Sequence, residues 1–309
     1  MRICSLLPSN TEIVFALGLG NSLVGVTHEC DYPAEVSSVP VVTSSVVPDE
    51  GLMSREIHSA ITGLIHKGSS IYHLDQEALG RADPHLILTQ ELCEVCAVSY
   101  KEVKSAVRIL DTDAKVVSLE PTTLDDILSN IQVVGELTET EARAREVVAG
   151  LRKRIDAVAS LASRAKNRPR VFCMEWLDPI FVGGHWVPQM VELAGGMNGL
   201  GIIGEPSIQA TWQQVADFAP EILVLMPCGF GIPRIFQELE KMSFPDEWQS
   251  LPAVEQGNVF VVDGSSYFNR PGPRIVDGLE LLAQIIHPEL FTGPGAKFTG
   301  LLRVPYALR

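Results

Sequence analysis

No stretch of this chain approaches the roughly 18 consecutive apolar residues that a membrane-spanning helix needs, so a helical membrane protein is excluded. Positive charge is also scarce. The 24 Lys and Arg stand against 38 Asp and Glu, for a net charge of −14. A surface of that sign repels phosphate backbones and anionic lipid, which removes nucleic acid and membrane surfaces as partners. Six cysteines in 309 residues (Cys4, Cys30, Cys93, Cys96, Cys173 and Cys228) are too thinly spread for a disulfide scaffold. Cys4 and Cys173 lie in apolar, strand-like runs and read as reduced core thiols, which favours a reducing compartment. There is no phosphate-binding G-x-x-x-x-G-K-[ST], and Gly18-Leu19-Gly20 follows a helix instead of joining a strand to one, so it is a helix stop. No Ser-His-Asp order, carboxylate pair or metal-binding helix motif specifies a reaction, so no catalytic residue is assigned and the chain reads as a non-enzyme. An export signal is missing as well. Met1 leads at once into Arg2-Ile3-Cys4-Ser5-Leu6-Leu7, which predicts a cytoplasmic protein, or a periplasmic or extracellular one if a signal peptide has been removed.

What is present is a regular alternation of apolar runs and helical patterns, the mark of an α/β fold with mostly parallel strands. The pattern occurs twice. Residues 2–32 run strand, loop, helix, glycine stop and strand, and residues 170–203 repeat the order from Arg170-Val171-Phe172-Cys173-Met174 to Ala194-Gly195-Gly196. Ala82-Asp83-Pro84-His85-Leu86-Ile87-Leu88 is answered by Phe218-Ala219-Pro220-Glu221-Ile222-Leu223-Val224-Leu225, each a short helix, a proline turn and a buried strand. Ala114 to Leu119 is answered by Gly257 to Val262. The reading is two Rossmann-like lobes, residues 1–121 and 168–290, joined by a helical connection over 122–167 and followed by a glycine-bearing appended tail, 291–309. Within the connection, Thr138 and Glu141 make a capping box and Val147, Val148, Leu151, Ile155, Val158 and Leu161 recur at helical spacing. From Glu139 to Lys166 that predicts one helix of about 28 residues, about 42 Å long at 1.5 Å per residue.

Several motifs carry chemistry. His28-x-Cys30 and Cys93-x-x-Cys96 have spacings that suit a metal ion or cluster, against the alternative of reduced thiols packed in loops. Ser9-Asn10-Thr11-Glu12 reads as a capping box whose first-turn N–H groups face a ligand. Trp176, Asp178-Pro179 and Gly183-Gly184-His185-Trp186 place two tryptophans in one glycine-bearing loop, a pattern that suits a ligand surface. Arg270 and Arg274 flank Pro271-Gly272-Pro273, and Arg270 suits a carboxylate, amide or phosphate.

Leu7-Pro8-Ser9-Asn10-Thr11-Glu12, Val26 through Asp31-Tyr32-Pro33, Ala194-Gly195-Gly196 and Tyr267-Phe268-Asn269-Arg270-Pro271-Gly272-Pro273-Arg274 together resemble the class III solute-binding proteins, the helical-backbone metal-receptor fold. Within it the likeness, over residues 2–290, is greatest to the cobalamin (corrinoid)-binding proteins of ABC importers. The resemblance implies a ligand cleft between the lobes, touched by Pro8–Asn10, His28–Tyr32, Glu91–Cys96, Glu175–Trp186 and Ser265–Arg270. Tyr32, Trp176, Trp186, Tyr267 and Phe268 would then supply ring faces, and Pro8, Ser9, Asn10, His28, Glu29, His185 and Arg270 the polar and backbone contacts. Two departures stand out: the family's cobalamin binders carry aromatics where this chain has Glu29 and Ser207. A third concerns docking, because the importer-facing glutamate expected on each lobe falls at Glu77 but at the uncharged Gln213. The expectation is therefore a cytosolic carrier or sensor of a corrinoid or similar metal chelate. The alternatives are an ABC-importer subunit for cobalamin, siderophore or haem, and a thiolate metal protein or enzyme using Cys30, Cys93 and Cys96.

Overall fold

The computed structural model describes residues 1–47, 51–67, 69–90, 100–109, 113–292 and 301–304. In chain order the first half gives β1 (Ile3–Ser5), α1 (Pro8–Ala16), β2 (Leu23–Val26), β3 (Thr43–Ser45), α2 (Ser54–His66), β4 (Tyr72–Leu74), α3 (Gln76–Ala82), β5 (Leu86–Thr89), α4 (Tyr100–Ile109), β6 (Lys115–Ser118), α5 (Leu124–Leu137) and α6 (Glu141–Ala162). The second half gives β7 (Val171–Trp176), β8 (Phe181–Val182), α7 (Val187–Leu193), α8 (Trp212–Phe218), β9 (Ile222–Leu225), α9 (Ile232–Lys241), α10 (Asp246–Gln249), α11 (Pro252–Glu255), β10 (Val259–Val262), α12 (Gly264–Tyr267), α13 (Ile275–Ile286) and β11 (Leu301–Arg303). Contacts divide the chain into two compact units. The first holds Met1–Leu52, Glu56–Pro121 and Asp125–Ala149, and the second holds Met53–Arg55, Thr122–Leu124 and Gly150–Arg309.

In the first unit a parallel sheet runs β2-β1-β5-β6, with a separate β3-β4 antiparallel pair. Leu86–Thr89 is buried along its whole length, as expected of a central parallel strand covered on both faces. Cys4, Leu6, Val42, Leu74, Leu79 and Ile87 form its core with Val103 and Ala106 of α4. Burial pushes the Cys4 thiol up to about 12, so it is an inert packing group.

In the second unit the order is β11-β10-β9-β7-β8. The three middle strands are parallel and both edges are antiparallel. Ile222–Leu225 again is buried throughout. The duplicated pieces match in detail. α3 and α8 both have seven residues; Asp75 caps the first by accepting from Ala78 N–H, and a Thr211–Gln214 capping box caps the second. Each ends on a left-handed residue, Asp83 (φ 42°) or Ala219 (φ 50°), before the proline that leads into the strand. The second strand of the repeat shrinks in this unit to a single bridge between Arg170 and Met197. Arg154 of α6 pairs with Asp277 and Glu280 of α13, holding the two helices together.

Three expectations are corrected. The long helix of the connection runs Glu141–Ala162, not Glu139–Lys166, because Glu139 takes φ 57° between α5 and α6. Thr138 makes no capping box with Glu141: its hydroxyl donates back to Val134 O (2.7 Å) and closes α5. The second helix, α6, has 22 residues, about 33 Å at 1.5 Å per residue. Finally, the tail is not a mere appendage, since β11 pairs antiparallel with β10 and Arg303 bonds Asn258 Oδ1 (2.8 Å).

Gly150 of α6 is exposed, and a Cβ there would meet nothing within 4 Å. Gly150→Ala is expected to stabilise the protein by about 1 kcal/mol, the difference in helix propensity, measured by urea unfolding.

Candidate functional site

In the first unit, the segments expected at a ligand lie at the carboxyl ends of β1 and β2. α1 begins at Pro8, one residue after Leu7, which caps it with backbone alone. Ser9, Asn10, Thr11 and Glu12 are therefore buried inside the helix, and their expected capping box does not form. Asn10 donates to Thr89 O (3.4 Å) and Thr11 Oγ1 to Ser5 Oγ (2.8 Å), so these side chains brace the ends of β1 and β5. Pro8 stays partly exposed.

His28 shares a hydrogen bond from Nδ1 to Thr43 Oγ1 (2.7 Å), receives support at the same oxygen from its own N–H (3.2 Å), and lies beside the Tyr72 ring (5.5 Å between centroids). Glu29 Oε1 is 3.5 Å from His28 Nε2. Cys30 Sγ contacts Thr11 Oγ1 (3.1 Å). His28 and Cys30 are thus engaged with hydroxyl groups, and among the described residues no three His, Cys, Asp or Glu side chains could hold a metal ion. Glu91, Cys93 and Cys96 lie outside the described residues. Tyr32 is 47% exposed and presents its ring to solvent.

In the second unit, the loops expected at a ligand follow the carboxyl ends of β7, β9 and β10. The first begins at Glu175 and Trp176, the last residues of β7. Glu175 Oε2 accepts from Ser207 Oγ (2.8 Å) and from Gly184 N–H (3.1 Å). Burial raises its pKa, and these two hydrogen bonds oppose that rise. The Gly184 position admits no side chain: a Cβ would lie 2.3 Å from Ser207 N. Next to it His185 takes φ 51°, donates its N–H to Glu205 O (2.6 Å) and accepts from Gly204 N–H (2.9 Å). Burial lowers the His185 pKa, favouring the neutral imidazole. Residues 204–210 are thereby sewn to β8 and its turn, with Val182 N–H on Ile208 O (2.9 Å) and Ala210 N–H on Ile180 O (3.0 Å).

Trp176 is partly exposed and its ring meets Phe230 of the β9 loop (5.2 Å). Tyr267 is partly exposed under Arg274, whose guanidinium carbon is 5.9 Å from the ring centre. Arg270 is partly exposed two residues after Phe268. The other two aromatics are corrected. Trp186 is 6% exposed and donates Nε1–H to Phe268 O (2.7 Å), and Phe268 is fully buried. Both pack the core beneath the loops, because Trp186 leads directly into α7 and Phe268 ends α12.

Sequence reasoning missed the roles of Glu175 and Phe230. The only local signal was a carboxylate ending the apolar run Val171-Phe172-Cys173-Met174-Glu175.

A family model described as periplasmic binding protein matches residues 3–265. The chain is 27% identical over 298 residues to an uncharacterized ABC transporter substrate-binding lipoprotein, YvrC, of Bacillus subtilis, covering 94% of this chain and 81% of the relative. It is 22% identical to the vitamin B12-binding protein of Vibrio parahaemolyticus, covering 90% and 86%. Among solved structures, the periplasmic heme-binding protein RhuT of Roseiflexus sp. RS-1, in its apo form, superposes with a TM-score of 0.68 at 22% identity, covering 93% of this chain and 98% of that one.

Proposed function

The chain belongs to the periplasmic binding protein family, and from that membership we propose that it is the substrate-binding subunit of an ABC importer whose cargo is a corrinoid of the cobalamin type. The observation that carries this reading is the match, over nine-tenths of the chain, to a vitamin B12-binding protein. The importer role is favoured by the likeness to a substrate-binding lipoprotein. It replaces the expected cytosolic carrier, and with it the cytoplasmic location gives way to the outer side of the membrane. For the thiolate metal protein or enzyme, His28 and Cys30 hydrogen-bond Thr43 and Thr11, and Cys93 and Cys96 lie outside the described residues.

On this reading the protein is a non-enzymatic binder. Tyr32, Trp176 and Tyr267 offer ring faces to a large flat ligand, and Glu29, His185 and Arg270 offer polar contacts. Glu77, in the first turn of α3 and nine-tenths exposed, serves importer docking; its counterpart Gln213 in α8 instead donates to Asp217 (2.8 Å).

The test is titration of the purified protein with cyanocobalamin, dicyanocobinamide and haemin, followed by tryptophan quenching and calorimetry. Binding of a corrinoid with Kd below about 10 μM is expected. No heat and no quenching with any of the three at about 100 μM would refute the reading.

A further inference from the structure

The sheet of the second unit does not stop at β8. Residues 208–210 lie antiparallel beside it, with Val182 N–H on Ile208 O and Ala210 N–H on Ile180 O to either side of a bridge between Phe181 and Gln209. This pattern makes Phe181 and Gln209 a non-hydrogen-bonded pair, so the N–H and C=O of Gln209 point away from β8. Neither group meets a partner among the described residues, and Gln209 is exposed. Ile208 beside it is 51% exposed. The segment is therefore an open sheet edge. Natural sheets guard such an edge with charge, proline or a bulge. In this chain 20% of residues are charged, yet Ser207 to Ala216 holds no charged residue and no proline; Glu205 and Pro206 stand just outside it.

We infer that this edge pairs with the same edge of a second copy of the chain, in a two-fold antiparallel contact centred on Gln209. A two-fold axis through an antiparallel pair sets one residue opposite its own copy. Gln209 suits that place, because its N–H and C=O face outward together and can exchange both bonds with the other copy. The two carboxamides then stand opposite each other, and each can donate and accept. Thr211 ends the pairing, since its N–H is on Gln214 Oε1 (2.8 Å) and its O accepts from Val215 N–H (3.1 Å). The contact is short, and the association is weak accordingly. Charge decides the occupant. Each copy carries a net charge of −14, so two copies repel least where they meet on a segment without charge. A strongly basic or acidic partner finds nothing on that segment to pair with. The inference is independent of the cargo and of the importer.

Sedimentation equilibrium of the full chain and of Gln209→Glu, Gln209→Pro and Ile109→Glu tests the pairing, with melting curves to show each variant folded. The parent should form dimers with Kd below about 100 μM. Raising salt from about 0.02 M to about 0.5 M should tighten them, because it screens the repulsion between two acidic copies. Gln209→Glu sets two carboxylates face to face, and Gln209→Pro removes the outward N–H. Each should weaken the dimer at least about tenfold. Ile109 of α4 is 66% exposed and belongs to the first unit, so Ile109→Glu adds the same charge away from this edge and should change Kd less than about twofold. If Gln209→Pro fails to fold, Gln209→Glu carries the test. A chain that stays monomeric at about 500 μM overturns the inference. So does a dimer that the Gln209 variants leave intact, or one that Ile109→Glu weakens as much as they do.

Discussion

Replacing Glu238 by alanine is expected to lower the stability of the second unit by about 3–5 kcal/mol. Glu238 of α9 is fully buried, and both of its oxygens are used. Oε1 accepts from Arg234 Nη2 (2.8 Å) and from Ser54 N–H (3.1 Å), and Oε2 accepts from Ser54 N–H (3.2 Å) and Ser54 Oγ (3.0 Å). The same carboxylate therefore caps the first turn of α2 and neutralises a guanidinium one helical turn earlier on its own helix. Alanine removes the acceptor from a backbone N–H, a hydroxyl and a cation at once, and it leaves a volume that these groups cannot fill. Glu238→Gln keeps one acceptor oxygen but turns the other into an NH2 that only Ser54 Oγ can accept, and it is expected to cost less than Glu238→Ala because it leaves no cavity. The loss should also reach the loops after β7 and β9, because the Arg234 guanidinium lies 4.9 Å from the Phe230 ring, which itself supports Trp176 at 5.2 Å. Urea unfolding followed by tryptophan fluorescence measures both effects. A Glu238→Ala protein within about 1 kcal/mol of the parent would show that the buried pair contributes little beyond its own desolvation.

The strands and short helices were legible because their causes are local. A run such as Ile222-Leu223-Val224-Leu225 can only be a covered parallel strand once a proline turn precedes it, and the same signal at Leu86–Thr89 makes the duplication visible. The start of α6 was legible to within two residues from Thr138 and Glu141, but the device that sets it was not, since Glu139 adopts a left-handed conformation that glutamate rarely takes. Gly135 lets the two helices approach there: a Cβ on it would come within 2.5 Å of Ala144 Cβ. The glycine-bearing loop and the resemblance put four aromatics at strand ends, and packing separates the partly exposed Trp176 and Tyr267 from the buried Trp186 and Phe268. Glu175 escaped notice because its meaning depends on Ser207, 32 positions later. The resemblance marked Ser207 as an aromatic position that this chain lacks. The structure gives the serine there a role of its own, as hydrogen-bond donor to a buried carboxyl.

That pairing makes Gly184 a position where a single methyl group should harm ligand binding. Gly184→Ala would place Cβ 2.3 Å from Ser207 N, 2.6 Å from Pro206 C and 2.8 Å from Ser207 Cα. All three atoms are backbone, so no rotamer change relieves the contact, and one of the two loops must move. Overpacking of this kind costs about 1–3 kcal/mol. Movement of the 204–208 segment also draws the Ser207 hydroxyl away from Glu175, and movement of the 183–185 turn withdraws the Gly184 N–H from the same carboxyl and displaces His185. Either way the buried carboxyl loses a donor, and the hydrogen bonds between His185, Gly204 and Glu205 lose their register. Corrinoid affinity is therefore expected to fall at least about tenfold in Gly184→Ala, the equivalent of about 1.4 kcal/mol. Gly150→Ala, the open glycine of α6, should bind as the parent does. Ser207→Ala isolates the chemistry from the geometry: it keeps the loop in place and removes only the hydroxyl, so its loss should be smaller than that of Gly184→Ala. Calorimetric titration of the three variants, each with its melting temperature, decides the matter. If Gly184→Ala loses stability but binds with parental affinity, the 183–185 turn is a structural corner and the ligand surface of this unit lies elsewhere along the strand ends.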